Sequence, residues 1–337
     1  MEGMKTPSKK PKPQKSIEKR KNKKKYKVRN WREYNQSLVD RGKVLFWITE
    51  EAMKNWQEQE DTGKRRRGKP QQYSDLAITT ALTLQQVFRL PLRQTEGFLA
   101  SILGKLAPAL ESPDHSTLSL RGKTLAVAIR VRPLSSEPVH IVADSSGVKV
   151  YGEGEWKVRQ HGWSKRRTWK KLHIGVDERT GDIMLGEVTG NETADCQMLA
   201  PLLDAVPASV SIDQVSADGA YDKRVCYEEL MRRGIPSIAI PPQHNAKIWK
   251  HGNQGGVRMP RDENLRRIRA VGRKQWKEEA GYHRRSMAEN AFFRLKTIFS
   301  DKVRSRTTSN QRTELLLRCR ALNLMTTLGM PDTYLVA

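Results

Sequence analysis

Three acidic residues far apart in the chain, Asp144, Asp218 and Glu289, are of the type that metal-dependent phosphoryl transfer on a nucleic acid requires. Such chemistry activates a water or a 3′-hydroxyl and stabilises charge on the leaving oxygen, and two Mg²⁺ ions about 3.5–4 Å apart do both. Mg²⁺ prefers oxygen ligands and keeps several of its waters, so a few carboxylates on a rigid support are sufficient. The chain has 37 acidic residues, so the presence of these three proves little by itself. They can form one site only if the strands and helices that carry them bring them together.

The segment 281–296, GYHRRSMAENAFFRLK, surrounds Glu289 with cations and a phenol. At about 100° per residue on a helix, and with Tyr282 taken as zero, Arg285, Glu289 and Lys296 lie within about 60° of one another. The four side chains therefore share one face of the helix. Two interpretations remain open: a site for metal and phosphate, or a solvated face with an Arg285–Glu289 pair. The opposite side would be buried and carries Ala288, Ala291, Phe292, Leu295, Ile298 and Phe299.

The pattern after residue 138 predicts the elements that would hold these carboxylates. Their order, β-β-β-α-β-α-β-α, is typical of an RNase H-like fold, an α/β architecture in which helices flank one mixed sheet. The predicted elements are a strand that turns at 145–147 and returns (139–151), a hairpin (172–190), a helix (195–206), a strand (213–222), a helix (223–233) and a strand (235–242).

This topology would bring the three carboxylates to one place. Asp144 lies on or just after the first strand, Asp218 lies at the C-terminal end of a strand beside it, and Glu289 lies on a helix that packs across the sheet. Other acidic residues need no catalytic role. Asp222 is expected to cap the next helix, and Asp177 and Asp182 are expected to flank a hairpin turn.

The first part of the chain predicts two further regions. Residues 1–30 are rich in Lys with interleaved Pro, so they are expected to be disordered, as a solubilising tail or as a basic arm that follows phosphates. Residues 31–130 predict a small all-α domain of the helix-turn-helix type, in which Ser74 caps one helix and the segment 114–121, DHSTLSLR, starts with another capping pattern, at Asp114. The catalytic domain would then span 138–330, with a basic insertion or loop at about 243–280, where apolar residues are few.

The composition favours a nucleic-acid partner. The formal net charge is +25, and an excess of this size calls for a polyanion. The segment 155–171 mixes cations with Trp156, Trp163 and Trp169, which could stack on an unpaired base or pack under a hairpin. Three separated cysteines indicate neither a zinc site nor a disulfide framework, and no apolar run suits a membrane helix or a secretory signal. A reducing cytoplasm is therefore expected.

Several blocks of the sequence resemble bacterial DDE transposases of the insertion-sequence-five group. Tyr282, Arg285, Glu289 and Lys296 fit the family's Y-(2)-R-(3)-E-(6)-K signature. The resemblance runs from about Trp31 to Pro331 and does not include the Lys-rich first thirty residues. The other similar blocks are YSDLAITTALTLQQVFRLPLRQTEGFL, PDHSTLS, VADSSGVKVYGEGEW, KKLHIGVDERTG, SADGAYD and LNLMTTLGMP.

The resemblance implies a mechanism with named roles. Asp144 would bridge two Mg²⁺ ions, for which Mn²⁺ is expected to substitute, Asp218 would hold the ion on the nucleophile side, and Glu289 would hold the other. Tyr282, Arg285 and Lys296 would contact transposon-end DNA. The enzyme would free a 3′-OH at each terminal inverted repeat and join it to target DNA, acting as a dimer or larger oligomer near the bacterial nucleoid.

Two other functions remain as alternatives. A catalytically silent or domesticated transposase would bind DNA without cutting it, but such proteins usually lose a carboxylate, and all three are present here. A stand-alone RNase H-like nuclease would cut without joining and would lack both the helical first domain and the Tyr-Arg-Glu-Lys face.

Overall fold

The computed structural model describes residues 25–58, 71–133, 136–150, 169–249 and 258–336. The described residues form two compact units, a smaller one of residues 25–42 and 328–336 and a larger one of the described residues between 43 and 327. The predicted tail, apart from residues 25–30, and residues 155–168 of the Trp-rich segment lie outside the described residues. The strands are β1 (Lys25–Val28), β2 (Val139–Val150), β3 (Trp169–Asp177), β4 (Ile183–Gly190), β5 (Ile212–Ala217), β6 (Ser237–Ala239), β7 (Lys302–Val303) and β8 (Thr333–Val336).

Eleven α-helices are present in the described ranges. They are α1 (Trp31–Asp40), α2 (Val44–Trp47), α3 (Glu50–Lys54), α4 (Asp75–Phe88), α5 (Leu92–Leu106), α6 (His115–Arg121), α7 (Leu199–Asp204), α8 (Arg224–Arg232), α9 (Pro260–Glu279), α10 (Ser286–Phe299) and α11 (Thr308–Leu328). None of the helices in these ranges combines the length and the apolar character that crossing a membrane requires.

A six-stranded mixed sheet organises the larger unit. Its order is β4-β3-β2-β5-β6, and β7 pairs with the end of β2. The strands β2, β3 and β4 form an antiparallel meander, whereas β5, β6 and β7 run parallel to their neighbours. The mixed α/β sheet and the element order expected from the sequence are therefore confirmed.

The turn predicted at 145–147 is wrong. β2 continues through this segment because Ser145 and Gly147 pair with His173 and Lys171 of β3. The strand that returns along β2 is thus β3 and not the second half of the 139–151 segment. Small polar residues favour turns locally, but the pairing with β3 outweighs that preference.

Side chains alternate along β2 between two hydrophobic cores. Val142 and Val148 face the core that α10 joins, and Ile141 and Ala143 face the core formed with α7 and α8. Even-numbered residues of β2 therefore point towards α10. The first core also takes in apolar residues from α2, α4, α5, α6 and α11, among them Trp47, Ile78, Leu99, Leu118 and Leu322.

Capping signals in the helical region 31–130 behave as their sequence predicts. The Ser74 hydroxyl accepts a hydrogen bond from the Ala77 amide at the start of α4, and Asp114 accepts from the Thr117 amide at the start of α6. In the smaller unit, β1 pairs with β8 in antiparallel fashion, and the Asn30 side chain donates to the Met330 carbonyl.

The basic segment 243–280 contains a helix where the sequence predicted an insertion or loop. α9 spans Pro260–Glu279 and buries Leu265 and Trp276. Two buried apolar side chains are few, but they are enough to hold the helix against the protein. At Gly272 the backbone takes φ 84° and ψ 156°, so α9 is kinked there.

Candidate active site

Asp144 lies in the interior of β2, on the face that points towards α10. Its side chain is 14% exposed, and Oδ1 accepts a hydrogen bond of 2.9 Å from the Ser145 amide. Burial raises the pKa of Asp144 above its usual value, and the carboxylates of Asp218 and Glu289 raise it further. These two groups are therefore close enough to Asp144 for their charges to matter.

Asp218 reaches the same end of the sheet from the neighbouring strand. Ala143 of β2 pairs with Ala217 of β5 in parallel register, so Asp144 and Asp218 each directly follow a paired residue. Asp218 then begins a short 3-10 helix, Gly219–Tyr221, and its Oδ1 accepts a 2.8 Å hydrogen bond from the Ala220 amide. The chain thus fixes the Asp218 carboxylate at the point where β5 ends.

The Arg285 guanidinium contacts the carboxylates of both Asp144 and Glu289. Its Nη1 lies 3.2 Å from Asp144 Oδ2, and its Nη2 pairs with Glu289 one turn along the helix. Arg285 is the last residue of a 3-10 helix, Tyr282–Arg285, that leads into α10. The i,i+4 pair expected from the sequence is present, and the same guanidinium also bonds to a strand 141 residues away.

Tyr282 and Lys296 lie beside this cluster. The Tyr282 ring centre is 6.0 Å from the Arg285 guanidinium carbon and 5.9 Å from the Trp276 ring centre. Burial raises the pKa of the Tyr282 phenol. The Lys296 ammonium donates a 2.6 Å hydrogen bond to Ser146 Oγ, two residues after Asp144 on the same face of β2.

A polar network behind Asp144 was not predicted from the sequence. The Ser145 hydroxyl donates to Asp195 Oδ1 at 2.8 Å, and the Lys171 ammonium lies 2.6 Å from the same oxygen. Burial alone would raise the pKa of Asp195, but hydrogen bonds from Lys171 and Ser145 hold it below its usual value. Ser145 therefore links the two carboxylates, because its amide bonds to Asp144 and its hydroxyl bonds to Asp195. The adjacency of Ser145 to Asp144 was the one available signal.

Tyr221 adds a second buried group that the sequence did not indicate. Its side chain is 1% exposed, and within the described part of the chain its hydroxyl has no hydrogen-bond partner. Burial raises its pKa strongly, and the charges of Asp195, Asp144 and Asp218 add to this effect. The phenol therefore lies close enough to these three carboxylates for their charges to act on it.

Asp222 does not cap α8, and this prediction is wrong. Its carboxylate is 2% exposed and bonds to Arg261 Nε at 2.7 Å, while Lys223 occupies the cap position of α8. A buried arginine provides a stronger partner than the helix amides. Asp177 does support the hairpin turn, accepting from the Arg179 amide and the Thr180 hydroxyl.

Comparison with known families supports a specific assignment. A family model described as "Transposase DDE domain" matches residues 135–324, which is more than half of the chain, and includes every residue of the cluster. The chain belongs to the DDE transposase family. A second model with the same description matches residues 39–153, so the helical region before the sheet is also covered. Membership implies a DNA-cleaving enzyme that acts by phosphoryl transfer.

Two solved transposase structures are similar to this family member at 12% sequence identity. One is the piggyBac transposase synaptic complex with hairpin DNA (TM-score 0.39), where the match covers 86% of this chain and 74% of that one. The other is the Mos1 mariner paired end complex with Mn (TM-score 0.21), with 84% and 86% covered. The assignment depends on the family models and not on these distant likenesses.

DDE transposases generally use divalent metal ions, and the donor set here suits one. Asp144, Asp218 and Glu289 offer only carboxylate oxygens, which are the ligands that Mg²⁺ and Mn²⁺ prefer. Among the described residues, no three His, Cys, Asp or Glu side chains converge closely enough to enclose an ion as they stand. The Arg285 guanidinium lies between Asp144 and Glu289 and provides a positive charge there. The donor atoms therefore suit a divalent cation, which would take the place of the Arg285 guanidinium between Asp144 and Glu289.

Proposed function

We propose that this protein is the transposase of a bacterial insertion sequence of the insertion-sequence-five group. It would bind terminal inverted repeats, cleave the 3′ end at each, and transfer the freed strand to target DNA. The observation that carries this proposal is the Arg285 contact to both Asp144 and Glu289. This contact connects Asp144 on β2, a strand of the sheet that we interpret as RNase H-like, with Glu289 on α10, the helix that carries the Y-(2)-R-(3)-E-(6)-K pattern. The chain that carries both residues belongs to the DDE family.

In this proposal each carboxylate has a role in metal binding. Asp144, Asp218 and Glu289 would together hold divalent ions, Mg²⁺ or Mn²⁺, through their carboxylate oxygens. When bound, such ions lower the pKa of a coordinated water and stabilise charge on the leaving oxygen. The pairing between β2 and β5 supports Asp144 and Asp218 as fixed ligands, whereas Glu289 is 55% exposed and can adjust.

Tyr282, Arg285 and Lys296 would hold the DNA backbone near the scissile phosphate. Arg285 can offer two parallel N–H groups to phosphate oxygens in place of its present carboxylate partners. Lys296, which now donates to Ser146, lies on the same helix face and can offer a further positive charge. These contacts would orient the phosphodiester without reading its sequence.

The remaining basic regions would bind the rest of the substrate. The net charge of +25 suits a long stretch of double-stranded DNA. The helices within 31–130 would act as the domain that recognises the terminal repeats, and the Lys-rich residues 1–30 would add non-specific affinity. Joining two ends at one target requires at least two copies of the chain on the DNA.

A cleavage and joining assay tests this function. The substrate is a duplex that carries the inverted repeat found beside the gene, and the variants are Asp144→Asn and, as a matched control, Asp204→Asn. We expect Asp144→Asn to abolish cleavage and to leave DNA binding intact. Asp204 is 68% exposed and pairs with Arg233 on the surface, so its variant should retain cleavage.

The same assay separates the alternative functions. Strand joining by the wild-type protein supports a transposase. Binding without cleavage would indicate a silent DNA-binding relative, and cleavage without joining would indicate a nuclease. Unchanged cleavage by Asp144→Asn would remove Asp144 from the mechanism.

A further inference from the structure

The second half of α9 is held by specific contacts to its first half and to the sheet. The Gly272 kink separates it from the first half. Its Trp276 side chain is 2% exposed, and the indole Nε1 donates to Asn264 Oδ1 at 3.2 Å. Gln214 of β5 donates a 2.9 Å hydrogen bond to the Ala280 carbonyl just after the helix. The direction of this half-helix is therefore fixed relative to the strand that precedes Asp218.

This anchoring turns two lysines outwards. At about 100° per residue, Lys274 and Lys277 lie within about 60° of one another, and they lie about 160° and about 100° around the helix from the buried Trp276. Both are exposed. They form one wall of a cavity of about 400 Å³, which is within the range of about 300–1,000 Å³ typical of ligand sites. The other lining residues are Glu278, Tyr282, His283, Arg285, Ser286 and Glu289.

The two lysines differ from the arginines of the first half of α9. Three of those four arginines have carboxylate partners: Arg261 pairs with Asp222, Arg266 with Glu263 and Arg267 with Glu279. Within the described ranges, no ion pair includes Lys274 or Lys277. The Lys277 ammonium instead lies 5.2 Å from the centre of the Tyr282 ring. Two cations without carboxylate partners thus face a cavity that reaches Glu289.

We propose that this cavity binds a phosphodiester of the DNA strand one or two nucleotides from the scissile phosphate, with Lys274 and Lys277 as its ligands. The proposal rests on the proposed function, because Glu289 and Arg285 at the end of the cavity define where the scissile phosphate lies. Tyr282 forms the wall between the two positions. Lysines bind phosphate as point charges, so this contact fixes the position of the strand and does not read bases.

A double-mutant cycle between protein and DNA tests the proposal. The affinity of Lys274→Gln, Lys277→Gln and the control Lys105→Gln is measured by fluorescence anisotropy at 0.2 M salt. Each protein is tested on native DNA and on duplexes with a neutral methylphosphonate at one of the three positions either side of the cleavage site. Lys105 is exposed on α5 and lies outside the cavity lining.

We expect each cavity variant to lose about fourfold in affinity on native DNA, which is the contribution of one phosphate contact at this salt concentration. The loss should vanish on the one or two duplexes whose contacted phosphate is already neutral. Lys105→Gln should show the same ratio to wild type on every duplex. Losses for Lys274→Gln and Lys277→Gln that are equal on all duplexes would overturn the proposal.

A failure of the cavity assignment can be distinguished from a failure of the proposed function. If wild-type protein does not cleave the DNA, the function fails, and no scissile phosphate defines the positions. If it cleaves while the lysine variants show no coupling to any phosphate, the function stands and only the cavity assignment is wrong. Because both lysines are exposed, unfolding midpoints of the variants should match wild type, which checks that the fold is retained.

Discussion

Two arginine–carboxylate clusters of the larger unit have similar chemistry and different surroundings. In the Arg261 cluster, the side chains of Asp222, Arg261 and Asp262 are all at most 4% exposed, and Trp249 covers the guanidinium at 3.8 Å. In the Arg285 cluster, formed by Asp144, Arg285 and Glu289, exposure ranges from 14% to 55%. The first cluster is a closed structural unit, and the second opens to solvent.

The difference shows how the same residue types can serve stability or function. A buried pair resists separation, because breaking it leaves a charge without water or a partner. An ion pair that solvent can reach contributes little and exchanges partners readily. Arg285 can therefore exchange its carboxylate partners for others, whereas Arg261 cannot.

The largest effect should come from breaking the closed cluster. Asp222→Ala should lower the free energy of unfolding by about 3–5 kcal/mol, because Arg261 would remain buried without a full partner. Denaturant titration measures this loss. The surface variant Asp204→Ala should change stability by less than about 1 kcal/mol, and an equal effect of the two substitutions would contradict the comparison.

A smaller effect is expected from the polar network behind Asp144. Asp195→Asn should slow cleavage by about 10- to 100-fold, the size found when groups that orient metal ligands are altered. The metal concentration for half-maximal rate should rise as well, and Ser145→Thr should retain more activity than Ser145→Ala. A purely structural role would lower the unfolding midpoint and leave the metal requirement unchanged.

The smallest effect is expected on the affinity of the Arg285 cluster for a metal ion. Without DNA, Arg285→Gln should bind Mn²⁺ about tenfold more tightly than wild type, because displacing charge-assisted hydrogen bonds costs on the order of 1.5 kcal/mol. Electron paramagnetic resonance of free Mn²⁺ measures the affinity. The neighbouring Arg284 pairs with Glu178, so Arg284→Gln should bind like wild type. Equal affinity in all three proteins would show that Arg285 does not compete with the metal.

Periodic patterns predicted much of this fold. Apolar spacing predicted α10, whose buried stripe is Ala288, Ala291, Phe292, Leu295 and Phe299. Local hydrogen bonding predicted the caps at Ser74 and Asp114. The same local reasoning failed at 145–147, where strand pairing overrides turn preference. It also did not indicate α9, which buries two apolar side chains, Leu265 and Trp276, and the charged Arg261 and Asp262.

The candidate site was predictable where it depends on topology and unpredictable where it depends on side-chain neighbours. Parallel pairing of β2 with β5 follows from the element order and brings Asp144 and Asp218 together. Asp195 and Lys171 meet only because a 3-10 helix at Asp195–Met198 packs beside β3, and no sequence spacing encodes that contact. Asp222 was misassigned because its partner Arg261 lies 39 residues away.

We propose that Asp144, Asp218 and Glu289 gather around divalent metal ions. Anomalous diffraction from crystals of the protein with transposon-end DNA and Mn²⁺ would locate these ions. We predict manganese peaks about 2.1 Å from carboxylate oxygens of all three residues, with Arg285 turned to a phosphate. Manganese bound elsewhere, with Arg285 still between Asp144 and Glu289, would contradict the account.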